Sequence, residues 1–387
     1  MTDLLQHFRP IFAEIAAGAV DRELRRELPF AEVELLKNAG FGALRIPSTH
    51  GGLGATLPQL FELLTELAAA DSNLTQLWRG HFAYVEGVLL RDASTSRDAW
   101  LRDIAGGAMV GNASSELTGT SLRDISTTLT STEAGLTLNG SKYYSTGALF
   151  ADWIAGSAVH DGQRVGYAVS ATAPGVDRID DWDGIGQRLT GSGTTHFSEV
   201  AVASENVRPY TPGEPNHVPA FFQLVLVAAL AGIARAAADD AASFVRPRTR
   251  SYVNATAALP REDPQVLAVL GELSSTSFAA AATVAAAARK LEAARWSLAS
   301  GHPDDARAAV DAAEIAVSQA QIVSVSQVLN ATSHLFEVGG ASATAAGRSL
   351  DRHWRNARTV SSHNPAIYKA RAVGYWAVTG TREPLPD

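Results

Sequence analysis

A β-patterned segment sits between two helical ones in this chain of 387 residues, and few architectures accept that order. The first helical part covers residues 1–107. Leu4, Leu5, Phe8, Ile11, Phe12 and Ile15 recur near the 3.6-residue helical period. A second helix carries Phe30, Val33, Leu35 and Leu36 and stops near Gly40, a helix-ending residue. The segment IPSTHGGLGAT (46–56) is a glycine-rich connector, and Pro58 stands where the next helix should begin. Its amphipathic run covers 58–70, and another apolar run extends from Leu74 to Leu90.

The texture changes at residue 108. TLTSTEAGLTLNGSKYYSTG (128–147) predicts strand, turn at Glu133-Ala134-Gly135, strand, turn at Asn139-Gly140, strand. WIAGSAV, VGYAVSA and THFSEVAV extend this pattern, which predicts an antiparallel barrel or sandwich over 108–215. From 216 to 387 the chain is alanine-rich and helical, with small residues suited to the close packing of a bundle. The class is α+β in three domains: 1–107, 108–215 and 216–387.

Several chemistries are excluded. The chain has no cysteine, so disulfides, thiolate nucleophiles and Cys-based metal sites are out. Its 10 histidines show no metal-ligand spacing, so no metal is expected. No G-x-G-x-x-G opens a helix after a strand, and no Walker loop or G-x-S-x-G elbow occurs. A net charge of −8 without a basic cluster argues against nucleic acid. No window approaches about 20 apolar residues free of charge. The N-terminus has no signal-type apolar stretch, and a cytoplasmic protein without membrane contact is expected.

Three ordered blocks carry a resemblance. NASSELTGTS (112–121) resembles the Thr-Glu-x-x-x-Gly-Ser motif of acyl-CoA dehydrogenases through Ser115, Glu116, Gly119 and Ser121. LNGSKYYSTGALFADWIAGSA (138–158) resembles their next signature, Leu-Asn-Gly-x-Lys followed by an aromatic strand and an Ala-Asp pair. HLFEVGGASATAAGRSLDRHWRNAR (334–358) resembles their Gly-Gly and Arg-Asp-Ala blocks. The resemblance spans about residues 30–376. It implies the acyl-CoA dehydrogenase fold: an N-terminal helical domain, a central antiparallel β domain and a C-terminal four-helix bundle.

The dehydrogenase reaction needs a carboxylate base to remove a proton alpha to a thioester. The usual place after the Arg-Asp-Ala block reads Ser361-Ser362-His363-Asn364-Pro365, and the alternative place reads Phe222-Gln223. The block itself carries Asn356 instead of Asp. With these departures, WRNARTVSSHNPAIYKARAVG (354–374) resembles the dibenzothiophene monooxygenase group of two-component flavin monooxygenases. That resemblance implies reduced FMN supplied by a separate flavin reductase, with FAD as the alternative. It implies O2 activation through a C4a-hydroperoxide, a small organosulfur, aromatic or amine substrate, and a homotetramer.

The same resemblance assigns His81, Asn112, Ser145 and His363 to catalysis. It assigns Asn112, Ser115, Tyr144, Ser145 and Trp182 to the flavin ring. Arg248, Arg250, Arg352 and Arg355 are candidates for the flavin phosphate, because guanidinium groups bind phosphate in a bidentate manner. On residue type alone, His81 in an apolar run reads equally as a packed, satisfied residue. Trp182 reads equally as barrel packing, Arg248 and Arg250 read as solvated charge, and Arg352 and Arg355, at i and i+3, read as a subunit contact. Two other readings stay open: an acyl-CoA dehydrogenase with FAD and a relocated base, and a non-catalytic scaffold of this fold.

Overall fold

The computed structural model describes residues 4–117, 124–133, 135–211 and 213–383. Gly119, Ser121 and Ala134 of the sequence blocks lie outside them. The chain opens with α1 (Leu4–Arg25), α2 (Phe30–Asn38), α3 (Leu57–Leu89) and α4 (Thr95–Ala105). Gly40, just past α2, takes the left-handed φ of 77° expected of a helix end. A capping box starts α3: the Thr56 side chain accepts from Gln59 N–H, and the Gln59 side chain accepts from Thr56 N–H. The two apolar runs read around residue 71 are one bent element. Asp71 breaks the helix with φ −157° and ψ 108°, and its carboxylate takes the freed Asn73 N–H together with Arg22.

The β segment contains β1 (Val110–Ala113), β2 (Thr128–Thr132), β3 (Gly135–Lys142), β4 (Trp153–His160), β5 (Gln163–Ser170), β6 (Val176–Arg178), β7 (Thr195–Val202) and β8 (Val207–Pro209). The sheet order is β6-β7-β3-β2-β4-β5-β8, with β1 beside β4. Two details correct the sequence-based expectation. The sheet is not wholly antiparallel, because β1 pairs β4 in parallel and β2 meets β4 at one parallel pair. The long excursion through the β2–β3 hairpin lets the chain return to β1 in the same direction.

The second correction concerns Asn139-Gly140, which is not a turn. β3 runs through it, and a bulge shifts its register against β7 between Leu138 and Gly140. Gly140 has φ 152°, and a Cβ there would sit 2.4 Å from the Thr127 hydroxyl. Asn139 accepts Glu199 N–H, which the bulge leaves free. The dipeptide that favours a hairpin also suits a bulge, and pairing with β7 decides between them.

The last part comprises α5 (Val218–Val245), α6 (Pro264–Ser300), α7 (Pro303–His334), α8 (Asp351–Ser362) and α9 (Ala366–Thr379). α5 runs through the middle, packed against α3, α6 and α7. One apolar core includes Phe8, Phe61, Trp78, Phe221, Leu291 and Val317, so the helices before and after the sheet share it. The sheet keeps its own core around Leu138, Ile154, Tyr167 and Phe197. By length and composition α5 and α6 could cross a membrane, which the criterion of 20 uncharged residues passed over. α5 is mostly buried as the centre of the bundle, whereas α6 leaves Leu267, Phe278 and Trp296 exposed.

α3 and α5 cross closely at Gly232, where a Cβ would stand 2.3 Å from the Ala68 Cβ on α3. Gly232→Ala gains helix propensity but forces the two helices apart. We expect a net loss of about 1–3 kcal/mol. A lower urea midpoint at unchanged slope would show it.

Candidate active site

A cavity of about 790 Å³ opens where the rim of the sheet, the middle of α3, the start of α5 and the end of α8 meet. Its size suits a small ligand with a cofactor ring. The sheet supplies one wall. Asn112 on β1 accepts the Ser114 hydroxyl at 2.9 Å and donates its backbone N–H to Thr146. Ser115 accepts Tyr143 N–H and extends this edge. Tyr144 holds φ 58°, a left-handed conformation rare for a bulky residue. It stands on the cavity wall, its ring centre 5.9 Å from that of Trp182. Trp182 is fixed by its Nε1–H on Gln187 O at 3.0 Å. Thr146, Ser192 and Thr190 form a hydroxyl chain at 2.8 and 2.7 Å, ending on Gln187 O. Ser145 is buried between the wall residues Tyr144 and Thr146, and its hydroxyl has no partner among the described residues.

The motif residues behind this wall are structural. Glu116 accepts bonds from Lys142 Nζ at 2.6 Å and from the backbone and hydroxyl groups of Ser126 and Thr127. Burial alone would raise its pKa. Those donors outweigh burial and hold it well below the usual range. Lys142 has no solvent exposure. The pair pins the first sequence block to the second.

α8 positions the Trp182–Gln187 loop. Asn356, the residue that departs from the dehydrogenase pattern, accepts Gln187 N–H at 2.6 Å. At Gly186 a Cβ would come within 2.1 Å of Arg355 O, so this loop lies directly on the helix.

The opposite wall comes from the helices. Arg79 on α3 donates Nε–H to Phe222 O and Nη1–H to His363 Nε2, both at 2.9 Å. Its guanidinium lies 4.5 Å from the Phe222 ring centre. A guanidinium only donates, so His363 Nε2 accepts and the ring proton sits on Nδ1. The Asn364 amide is 3.2 Å from that Nδ1 and 2.8 Å from the Gln223 amide. Asn364 Nδ2 donates to Gln223 Oε1, so that nitrogen offers the His363 Nδ1–H no acceptor. His363 opens onto the cavity. The neighbouring walls first, and Arg79 second, push its pKa down to about 3, so the imidazole is neutral although the residue stays exposed to solvent.

Asn112, Ser115, Tyr144, Trp182 and His363 thus line one cavity, and Ser145 lies just behind it. His81 does not reach it. It is wholly buried, and it donates Nε2–H to Gly42 O and accepts Val110 N–H on Nδ1. Burial pushes its pKa down to about 4, and neither ring nitrogen is left for chemistry. His81 joins α3 to β1, whose Asn112 lies against Gly80; the predicted catalytic role is corrected to one of position.

The four predicted phosphate arginines also lie off this cavity. Arg248 stacks on Phe244, and Arg250 is exposed on the loop after α5. The 28 residues of α5 place that loop about 42 Å from the cavity end of the helix. Arg352 pairs with Asp240, and Arg355 pairs with Glu23 and Asp351. Carboxylates already occupy both, so neither is a free phosphate anchor in this chain. Sequence reasoning passed over Gln76, Arg79, Thr190 and Ser192. Arg79 had a readable signal, a cation inside an otherwise apolar helical run.

Residues 224–366 match the family model "Acyl-CoA dehydrogenase, C-terminal domain". The probable FMNH2-dependent monooxygenase SfnC of Pseudomonas putida is 30% identical, over 98% of this chain and 95% of its own. A dibenzothiophene monooxygenase of Mycolicibacterium goodii is 32% identical, over 99% and 95%. Among solved structures, FMN-bound TdsC from Paenibacillus sp. A11-2 superposes with a TM-score of 0.90 at 30% identity, covering 99% of this chain and 98% of its own. Methanesulfinate monooxygenase MsuC from Pseudomonas fluorescens gives 0.89 at 30%, covering 100% and 99%.

Proposed function

This chain belongs to the dibenzothiophene monooxygenase-like branch of the acyl-CoA dehydrogenase superfamily, and from that membership we propose that it is the oxygenase of a two-component flavin monooxygenase. It places one atom of O2 on a small organosulfur compound and releases the other as water, with two electrons from reduced FMN. The observation that carries this reading is the composition of the cavity wall: hydroxyls, amides, aromatic rings and two arginines, with no carboxylate among the described lining residues. A dehydrogenase with a relocated base needs an acid there. The relatives, with their FMN-dependent names and FMN-bound structure, support FMN over FAD.

The wall fits a flavin. The unpartnered Ser145 hydroxyl is a buried donor in need of an acceptor, which the ring of a flavin supplies. Asn112, Ser115, Tyr144, Ser145 and Trp182 would hold the ring, and bound reduced FMN supplies the electrons that activate dioxygen. Phe222 and Val360 keep the other side apolar and exclude water. His363 presents a neutral imidazole from that side.

A flavin reductase delivers reduced FMN, and the enzyme works in the cytoplasm. Residues 1–107, 108–215 and 216–387 are its domains. The exposed Leu267, Phe278 and Trp296 on α6 supply the apolar contact for a homotetramer. The test is the reoxidation of photoreduced FMN in aerated buffer without substrate. The protein is expected to slow it manyfold, and product made under ¹⁸O2 should carry one labelled oxygen. Reoxidation at the protein-free rate would sink this reading, and reduction of bound FAD by an acyl-CoA would replace it with the dehydrogenase.

A further inference from the structure

A buried guanidinium stays charged and needs an anion beside it. Among the described residues three arginines are nearly free of water: Arg22, Arg45 and Arg79. Arg22 meets Glu32 and Asp71, and Arg45 meets Glu86. Arg79 meets no carboxylate. Its Nε and Nη1 are spent on a backbone carbonyl and a neutral histidine. Its Nη2 bonds to no described protein atom, and its side chain forms part of the cavity wall. A second arginine, Arg358, joins the same wall with its Nε and Nη2 held on the Ser362 hydroxyl. Burial pulls the Arg79 pKa down to about 9, which still leaves it protonated at neutral pH.

We propose that Arg79 anchors an acid group on the substrate, so that the cavity takes a small organic oxyanion, a sulfur oxyanion or a carboxylate, with its apolar part against Phe222 and Val360. The assignment rests on reading this cavity as the substrate site of the monooxygenase. A wholly apolar substrate would seal Arg79 from water without a partner, and a buried cation left unpaired is strongly unfavourable. An oxyanion removes that penalty and accepts the unused Nη2 donors.

The experiment is calorimetric titration of the flavin-free protein with methanesulfinate, acetate and the neutral dimethyl sulfone. On the unaltered protein the favoured anion should bind about 10- to 100-fold tighter than the sulfone, as expected for a charge-assisted bond in a dry site. The ratio of methanesulfinate to acetate tells a sulfur oxyanion from a carboxylate. Arg79→Met should abolish the preference for anions, and Arg79→Lys should keep part of it. Equal binding of dimethyl sulfone and both anions to the unaltered protein overturns the proposal, whatever the variants do. So does an intact preference in Arg79→Met, and weakened FMN binding there would assign the arginine to the flavin phosphate. FMN titration of the same samples separates the two readings. FMN binding and slowed reoxidation without anion preference overturn only the anchor. Anion preference without FMN binding supports the anchor and overturns the flavin.

Discussion

Glu86→Ala is expected to lower the unfolding free energy by about 3–5 kcal/mol, the usual result of removing one partner from a buried charge cluster. Glu86 is wholly buried on α3. One carboxylate oxygen takes Arg45 Nε–H at 2.6 Å, and the other takes His217 Nε2 at 2.8 Å. Arg45 also donates to Ala55 O, which ties the glycine-rich connector to α3. His217 is the residue before α5, and Pro219, Phe222 and Gln223 of that helix line the cavity. Removing the carboxylate strands a guanidinium and an imidazole where water cannot reach. Glu86→Gln should lose less, because the amide oxygen still accepts one bond. Chemical denaturation of both variants against the parent decides it; a loss below about 1 kcal/mol for Glu86→Ala would mean that the cluster relaxes to solvent.

The same cluster fixes an acid limit. Burial would raise the Glu86 pKa, but Arg45 and His217 outweigh it and hold it at about 2. A depressed carboxyl stabilises fully above its ordinary value near 4.5, and that stability is lost as pH falls toward 2. His81 and His353 act earlier. Burial lowers both to about 4, so below about 6.5 the unfolded chain binds protons that the folded one refuses. Stability therefore declines from pH 6.5 toward 4, by about 1.4 kcal/mol per pH unit for each of them.

Much of this was legible in the residues, because the signals were local. Helix periods, the glycine connector and Pro58 placed α1 to α3, and alternation placed β4, β5 and β7. The family resemblance, carried by the three blocks and the stretch 354–374, brought Asn112, Tyr144, Trp182 and His363 to one cavity because family pattern encodes tertiary arrangement. What failed depended on partners. Asn139-Gly140 carries the same local chemistry as a turn or as a bulge, and only β7 tells which. His81 is used up by Gly42 O and Val110 N–H, neither of them visible from its neighbours in sequence. Arg352 and Arg355 were chosen for charge, but Asp240, Glu23 and Asp351 neutralise them. Arg79 shows in the sequence only as a cation in an apolar run; that no carboxylate pairs with it is decided by the fold.

Replacing His363 with Leu should cut product formation about 10²-fold, the order seen when one neutral donor is removed from a dry reaction site. FMN reoxidation should continue, with its electrons diverted to hydrogen peroxide. The orientation of the ring explains why. Arg79 donates to Nε2, so the proton is on Nδ1 and the imidazole remains neutral. A neutral ring at the cavity offers hydrogen bonding without releasing a stray proton to reduced oxygen. His363→Asn keeps an N–H donor and should lose less than the leucine variant. Because the His363 pKa is pushed down to about 3, the ratio of product to peroxide should stay flat from about pH 5 to pH 9 as far as this group decides it. A break in that ratio near 6.5 would show that His363 titrates like a free imidazole. Product and peroxide falling together in the leucine variant, with FMN affinity, would show that the residue only shapes the pocket. Product lost while peroxide rises would place His363 at the step where oxygen is committed to the substrate.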